Sequence, residues 1–103
     1  DGLCLIPLKA KAFLDLQERK KNGENIDSYK ITKHKSDVFR LYFSSTGAET
    51  FPIVEPIKAD MHSFLSQVVK DQQGLNGICK SMGIVNTDIN DMIGTIRRIY
   101  GMV

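Results

Sequence analysis

The side chains most able to do chemistry in this chain of 103 residues are charged groups in its first forty positions. Lys33 lies one helical turn before Asp37 and Arg40 lies one turn after it, so on a helix the two cations flank the carboxylate and favour its ionised form. Lysine binds phosphate as a point charge, and a carboxylate can deprotonate or position a hydroxyl. With Lys9 and Lys35, these residues predict either a phosphate-handling cleft or a solvated cluster of surface ion pairs.

Two of these lysines fall among apolar residues of the helices that carry them. Laid out at about 100° per residue, the apolar arcs consist of Leu5, Leu8, Ala12, Phe13 and Leu16 in the first helix and of Ile31, Val38, Phe39, Leu41 and Tyr42 in the second. Lys9 falls inside the first arc, and Lys35 and His34 fall inside the second. Burying an ammonium group is costly unless it is paired, so each lysine either extends to the rim of the core or points into a polar cleft. His34 alone indicates no chemistry, and His62 is predicted to be structural.

The elements that must position these residues follow from proline, glycine and N-cap residues. The expected elements of the first half are an extended segment from Leu3 to Ile6, a helix from Pro7 to about Asn22 that Gly23 ends, a second helix from Asp27 or Ser28 to about Phe43, and a loop over 44–55 with a brief extended stretch at Phe51, Ile53 and Val54. The first two helices are expected to form a helical hairpin.

The second half is predicted to add two amphipathic helices. The third helix starts at Pro56, and its apolar stripe is formed by Ile57, Met61, Phe64, Leu65 and Val68. A short helical turn from Leu75 to Met82 is interrupted by glycines, and Thr87 caps a last helix whose buried face is Ile89, Met92, Ile93, Ile96, Ile99 and Tyr100. The expected fold is therefore all-α, a small bundle of four principal helices in a single domain over residues 1–103.

The composition indicates a globular cytoplasmic protein. Hydrophobic residues make up 42% of the chain and charged residues 25%, as in globular proteins. The net charge of +2 is too small to indicate a nucleic-acid-binding protein. The two cysteines lack any metal-ligand or disulfide-framework spacing, and no apolar run reaches the roughly 18 residues of a membrane span. The chain opens at Asp1 with an apolar run that nothing before it would cover, which favours a segment of a longer protein.

Several motifs that would identify an enzyme are absent from the sequence. It contains no Gly-rich phosphate loop, no Ser-His-Asp or Cys-His arrangement in the sequence context of a catalytic nucleophile, and no metal-ligand cluster. The apolar stripes account for most aromatic residues, which argues against a stacking platform for single-stranded nucleic acid.

Three segments resemble the C-terminal portion of the AbiEii/AbiGii abortive-infection nucleotidyltransferase toxin family, and the likeness covers about the first 43 residues. The segments are Leu8–Leu16, Ile26–Ser28 and Lys33–Leu41. The family has a lysine followed three positions later by alanine, as at Lys9 and Ala12. It also has a basic residue near an aspartate that opens a short apolar run, as at Lys35, Asp37 and Leu41.

The resemblance implies that Lys9 and Asp37 belong to a nucleotidyltransferase site, where they contact nucleotide phosphates and the reacting hydroxyl, with Lys35 and Lys33 supporting the nucleotide. The family's upstream Gly-Ser motif and acidic metal-binding pair have no counterpart here, so the isolated chain is expected to be inactive. In a longer protein, an upstream domain would supply the nucleoside triphosphate and Mg²⁺ sites, and the acceptor would be a tRNA end or a protein side chain. The alternative is a non-catalytic helical module that binds an antitoxin, RNA or another acidic partner.

Overall fold

The computed structural model describes residues 2–85 and 88–102, and these residues form five α-helices without a strand. The helices are α1 (Gly2–Lys21), α2 (Ser28–Phe43), α3 (Glu55–Lys70), α4 (Gln72–Ser81) and α5 (Ile89–Ile99). The all-α prediction is therefore confirmed. The radius of gyration, 13.3 Å, is that of a compact chain of this length. None of the described helices combines the length and apolar character needed to cross a bilayer.

Helices α1 and α2 form the predicted hairpin. Gly23 has a φ of 96°, a left-handed conformation that ends α1 at little cost for glycine, and the Asp27 side chain caps α2 by accepting a hydrogen bond from the Tyr29 amide. Near the turn, the Lys20 ammonium donates to the Ser28 hydroxyl. At the other end Gly2 lies against Leu41, which sets the two helices antiparallel along their whole length.

The N-terminus differs from the prediction, because α1 starts at Gly2 and the segment from Leu3 to Ile6 is helical rather than extended. Pro7 lies inside the helix and has no N–H to donate to the Leu3 carbonyl. That carbonyl instead accepts a hydrogen bond of 2.7 Å from the hydroxyl of Tyr100. Tyr100 is fully buried, and burial raises the pKa of its hydroxyl. The chain's C-terminal end thus provides a donor at the place where the proline removes one.

The apolar arc predicted for α1 is also wrong in part. The residues facing the core are Leu3, Ile6, Pro7, Ala10 and Phe13, whereas Leu5 is exposed and Leu8 is 64% exposed. Helix α1 carries apolar residues on two faces, so their periodicity alone does not decide which face is buried. As a consequence Lys9 lies at the edge of the buried face, with 31% of its side chain exposed.

Helix α3 supplies the centre of the core. Met61, Phe64, Leu65 and Val68 are buried as predicted, while Ile57 stays exposed in the first turn. The Phe64 ring lies edge-on to Phe13 at 5.4 Å and stacks on the Phe39 ring at 6.1 Å, centroid to centroid. Aromatic pairs at these separations add to the free energy of burial, so this trio ties α3 to both helices of the hairpin.

Helix α4 is longer than the turn predicted over Leu75–Met82. It starts at Gln72 because Asp71, the residue between α3 and α4, accepts a hydrogen bond from the Gly74 amide. A Cβ at position 74 would overlap the Asp71 carboxylate, so glycine is what allows this close approach. The same glycine lowers helix propensity, which is why the sequence predicted a shorter element.

Helix α5 has the predicted buried face over Met92, Ile93, Ile96, Ile99 and Tyr100, with Ile89 partly buried. Thr87, the predicted N-cap, lies outside the described residues. The side chain of Asp88 caps α5 by accepting hydrogen bonds from the Asn90 and Asp91 amides. The predicted extended stretch at 51–54 forms no strand, and the Phe51 amide instead donates to the Ile99 carbonyl at 2.7 Å.

The bond from Tyr100 to Leu3 predicts a stability coupling with Pro7. Tyr100→Phe leaves a buried carbonyl without this donor and is expected to lower the free energy of unfolding by about 1 to 3 kcal/mol. In a Pro7→Ala background the new Ala amide can donate to the Leu3 carbonyl, so the loss is expected to shrink by about 1 kcal/mol. Urea unfolding of the four proteins measures this coupling, and an equal loss in both backgrounds would contradict it.

Candidate functional site

The predicted charge cluster forms around Asp37. The Lys9 and Lys33 ammonium groups each lie 3.2 Å from Asp37 Oδ2, and Arg40 Nη1 lies 3.8 Å from Oδ1. Lys33 and Arg40 flank Asp37 on α2, while Lys9 reaches across from α1. Three cations therefore converge on one carboxylate at the seam of the helical hairpin. We call these four residues the Asp37 cluster.

Asp37 is buried although it is charged, with 12% of its side chain exposed. Burial alone would raise the pKa of its carboxyl group, but hydrogen bonds from Lys9 and Lys33 and the charges of both lysines lower it, and the net shift is downward. The carboxylate stays ionised at neutral pH. An aspartate held in this way is a weak proton acceptor and a strong anchor for ammonium groups.

His34 lies beside the Asp37 cluster on α2. Its Nδ1 is buried without a hydrogen-bond partner among the described residues. Burial and the positive charge of Lys9 are the main causes that lower the pKa of the imidazole, so the ring is neutral at physiological pH. A neutral ring adds no charge to the cluster.

Lys35, predicted to support the same site, lies elsewhere. Its ammonium group is 3.6 Å from Asp71 Oδ2 and 6.0 Å from the centre of the Phe13 ring, in a small pocket that also includes Gln17 and Gln67. The structure therefore brings Lys9, Lys33 and Asp37 together and separates Lys35 from them. Two positions along α2 correspond to more than half a turn, so Lys35 and Asp37 cannot share one face of the helix.

A groove of about 230 Å³ runs along α2 beside Asp37. Besides Lys33, Asp37 and Arg40, it is lined by three residues that carry hydroxyl groups, Tyr29, Thr32 and Ser36. Tyr29 is 71% exposed, so it is one of the aromatic residues for which the apolar stripes do not account. The residues of the groove recur at helical spacing, so the sequence itself carries a polar periodicity that marks this face of α2.

The arrangement combines an excess of positive charge with hydroxyl donors. Within the Asp37 cluster, three permanent cations face one carboxylate, which leaves two uncompensated charges. Lys33 and Arg40 are 54% and 67% exposed, so both can turn toward a ligand. Across residues 2–85 and 88–102, no group of three or more His, Cys, Asp or Glu side chains is placed to hold a metal ion. The excess positive charge and the hydroxyl groups make this surface suited to an anion.

Comparisons with protein-family models, with curated proteins and with solved structures find no match to this chain.

The lowered pKa of Asp37 predicts a pH-dependent contribution to stability. Because the pKa of the folded state lies below the unfolded value of about 3.9, the contribution is present above that pH and is lost as pH falls through the folded pKa. Asp37→Asn is expected to lower the free energy of unfolding by about 1 to 3 kcal/mol near pH 6 and by less at an acid pH below about 3.9. Urea unfolding at both pH values measures the difference.

Asp15→Asn is the matched control, since Asp15 pairs with Lys11 on α1 at 3.5 Å but is mostly exposed. Its effect is expected to be small at either pH, because exposed ion pairs are weak and screened. If Asp37→Asn lowers the free energy of unfolding equally at both pH values, the ion pairs of Asp37 are not the cause of that loss.

Proposed function

We propose that this chain is a helical binding domain whose Asp37 cluster and adjoining α2 groove hold a phosphate-bearing ligand. The observation that carries the proposal is the convergence of Lys9, Lys33 and Arg40 on one buried carboxylate beside hydroxyl groups. Lysine and arginine bind phosphate oxygens through charge-assisted hydrogen bonds, and hydroxyl groups complete such sites.

The exposed ring of Tyr29 favours a nucleotide or RNA over inorganic phosphate. Tyr29 and Arg40 line the same groove, so one ligand can contact an aromatic face and a cation together. A base stacked on a tyrosine contributes about 1 to 3 kcal/mol, and phosphates along the groove would meet Lys33 and Arg40. The charge distribution supports the same ligand class, because residues 2–43 contain nine lysines and arginines against five aspartates and glutamates.

In its more specific form, the proposal makes the chain the C-terminal helical domain of an abortive-infection nucleotidyltransferase, where it completes one side of a nucleotide-binding cleft. What supports this form is the resemblance over the hairpin and the contact between Lys9 and Asp37, the two residues for which the family implies roles. An upstream domain would hold the nucleoside triphosphate and Mg²⁺. A tRNA end or a protein side chain would be the acceptor.

Within this form the role of Asp37 is positioning rather than proton transfer. A general base works best with a pKa near the working pH, and the pKa of Asp37 lies below its ordinary value. Its carboxylate holds the Lys9 ammonium group in the seam, which fixes where that charge meets a phosphate, while Lys33 lies at the same distance but is exposed and can turn toward the ligand.

The second candidate is a non-catalytic module that binds an antitoxin, RNA or another acidic partner. The observation that favours it is the position of the excess charge on a surface of α2 that is open to a macromolecule. A mononucleotide that competes with RNA for the groove supports the nucleotide cleft, whereas binding of RNA or an acidic peptide without mononucleotide binding supports the module.

The binding proposal predicts that substitutions in the groove, but not elsewhere, lower the affinity for RNA. Lys33→Gln/Arg40→Gln is expected to weaken binding of fluorescent single-stranded RNA about tenfold at low salt and to lower the salt slope by roughly one for each cation removed. Tyr29→Ala is expected to weaken it about fivefold through lost stacking. Fluorescence anisotropy at several salt concentrations, with Mg-ATP as competitor, provides these values.

The control variant is Lys70→Gln/Lys80→Gln, which removes the same charge from the ends of α3 and α4. It is expected to bind RNA as the unmodified protein does. Equal weakening by both double variants would show that only net charge matters and would remove the groove from the proposal.

The nucleotidyltransferase form makes a separate prediction for the longer protein that it requires. There, Lys9→Ala and Asp37→Ala are expected to abolish nucleotide transfer, because the first variant removes a cation from the phosphates and the second removes the carboxylate that anchors Lys9, while circular dichroism still reports a folded helical domain. Unchanged transfer rates would end this assignment of both residues.

A further inference from the structure

A second cationic cavity lies between α3 and α5. Its volume is about 370 Å³, within the range of small-molecule sites. Lys58 and His62, one turn apart on α3, line one side, and Arg97 of α5 lines the other. None of these residues belongs to the Asp37 cluster, so a ligand here would bind independently of the function proposed for that cluster.

Two polar side chains of this cavity, one from α3 and one from α5, are in contact with each other. Arg97 Nη1 lies 3.4 Å from His62 Nδ1. Because a guanidinium group can only donate, Nδ1 is the acceptor in this contact, which places the ring N–H of His62 at Nε2. The contact therefore leaves the other N–H groups of Arg97 and the Nε2–H of His62 as donors.

The positive charge of the cavity is poorly compensated. Within residues 2–85 and 88–102, Arg97 makes no ion pair with a carboxylate, although arginine is always charged. Glu55 is the carboxylate in the lining, and its Oε1 lies 3.6 Å from Lys58 Nζ. That pair is exposed on the glutamate side, and an exposed pair of this kind is weak enough for Lys58 to turn away from it.

We propose that this cavity binds the oxyanion group of a small ligand, a carboxylate or a phosphate, with Arg97 as the main contact and Lys58 and His62 as further donors. The planar fork of arginine matches two oxygens of either group. Ala59 and Met102 add apolar surface to the lining, which suits a ligand with a short carbon skeleton.

Titration of the ¹⁵N-labelled chain by NMR tests the proposal. Sodium phosphate and sodium acetate are added in separate series at ionic strength held constant with sodium chloride. Saturable shifts are expected for amides at 55–62 and 97–102 in at least one series. A response to phosphate alone assigns a phosphate ligand, and a response to acetate alone assigns a carboxylate.

Arg97→Gln is expected to weaken that binding about tenfold, the effect of losing one charge-assisted contact. Lys70→Gln, at the opposite end of α3, and Lys33→Gln/Arg40→Gln are the controls and are expected to keep the affinity within about twofold. Shifts that do not saturate in either series, or wild-type affinity in Arg97→Gln, would overturn the proposal. If Arg97→Gln fails to fold by circular dichroism, Lys58→Gln replaces it, and unchanged affinity there has the same meaning.

Discussion

A carboxylate buried in a helix seam remains charged only if cations reach it, and this constraint organises the α1–α2 hairpin. Asp37 meets it by accepting contacts from Lys9 on the opposite helix and from Lys33 on its own helix. The contact across the seam requires the two helices to keep one register, because a shift by one residue would rotate Lys9 away from Asp37 by about 100°. The packing of Phe13 against Phe64 depends on the same register, since Phe13 lies one turn after Lys9 on α1. The ion pairs and the apolar core therefore specify the same arrangement.

Most helices could be predicted from the sequence because their ends carry local signals. Asp27 caps α2 and Gly23 ends α1 where expected, and the stripes of α3 and α5 are buried almost as predicted. The errors have physical causes, one of which acts over a long distance in the chain and one of which is local. Pro7 lies inside α1 rather than at its start, and the donor that compensates for it, Tyr100, is 97 positions away in sequence from Leu3, whose carbonyl accepts the bond. The start of α4 depends on Asp71 and Gly74 being in contact, whereas the propensity of glycine alone argues for a shorter helix.

The candidate site could be predicted in part, for a similar reason. Lys33, Asp37 and Arg40 are separated by three or four positions on one helix, so their contacts follow from sequence spacing. Lys9 joins them from another helix, and only its unusual place among apolar residues pointed to it. Lys35 also lies among apolar residues of its helix, but its ammonium group pairs with Asp71 next to the Phe13 ring and not with Asp37. A lysine in an apolar arc therefore does not identify the residue with which it pairs. The pairing of His62 with Arg97 spans 35 positions and had no local signal.

The cations of the Asp37 cluster differ in what they lose when a ligand binds. Lys9 is the least exposed of the three, and removing it from Asp37 would leave a buried carboxylate with less compensation. Lys33 and Arg40 are mostly exposed, and their pairs with Asp37 contribute little free energy, so a phosphate can draw either side chain outward at small cost. A bound anion would also relieve the mutual repulsion of the three cations. Lys9 thus remains in the seam and stabilises the hairpin, while Lys33 and Arg40 are free to contact a ligand at the groove. Ligand binding therefore need not lower the stability of the hairpin.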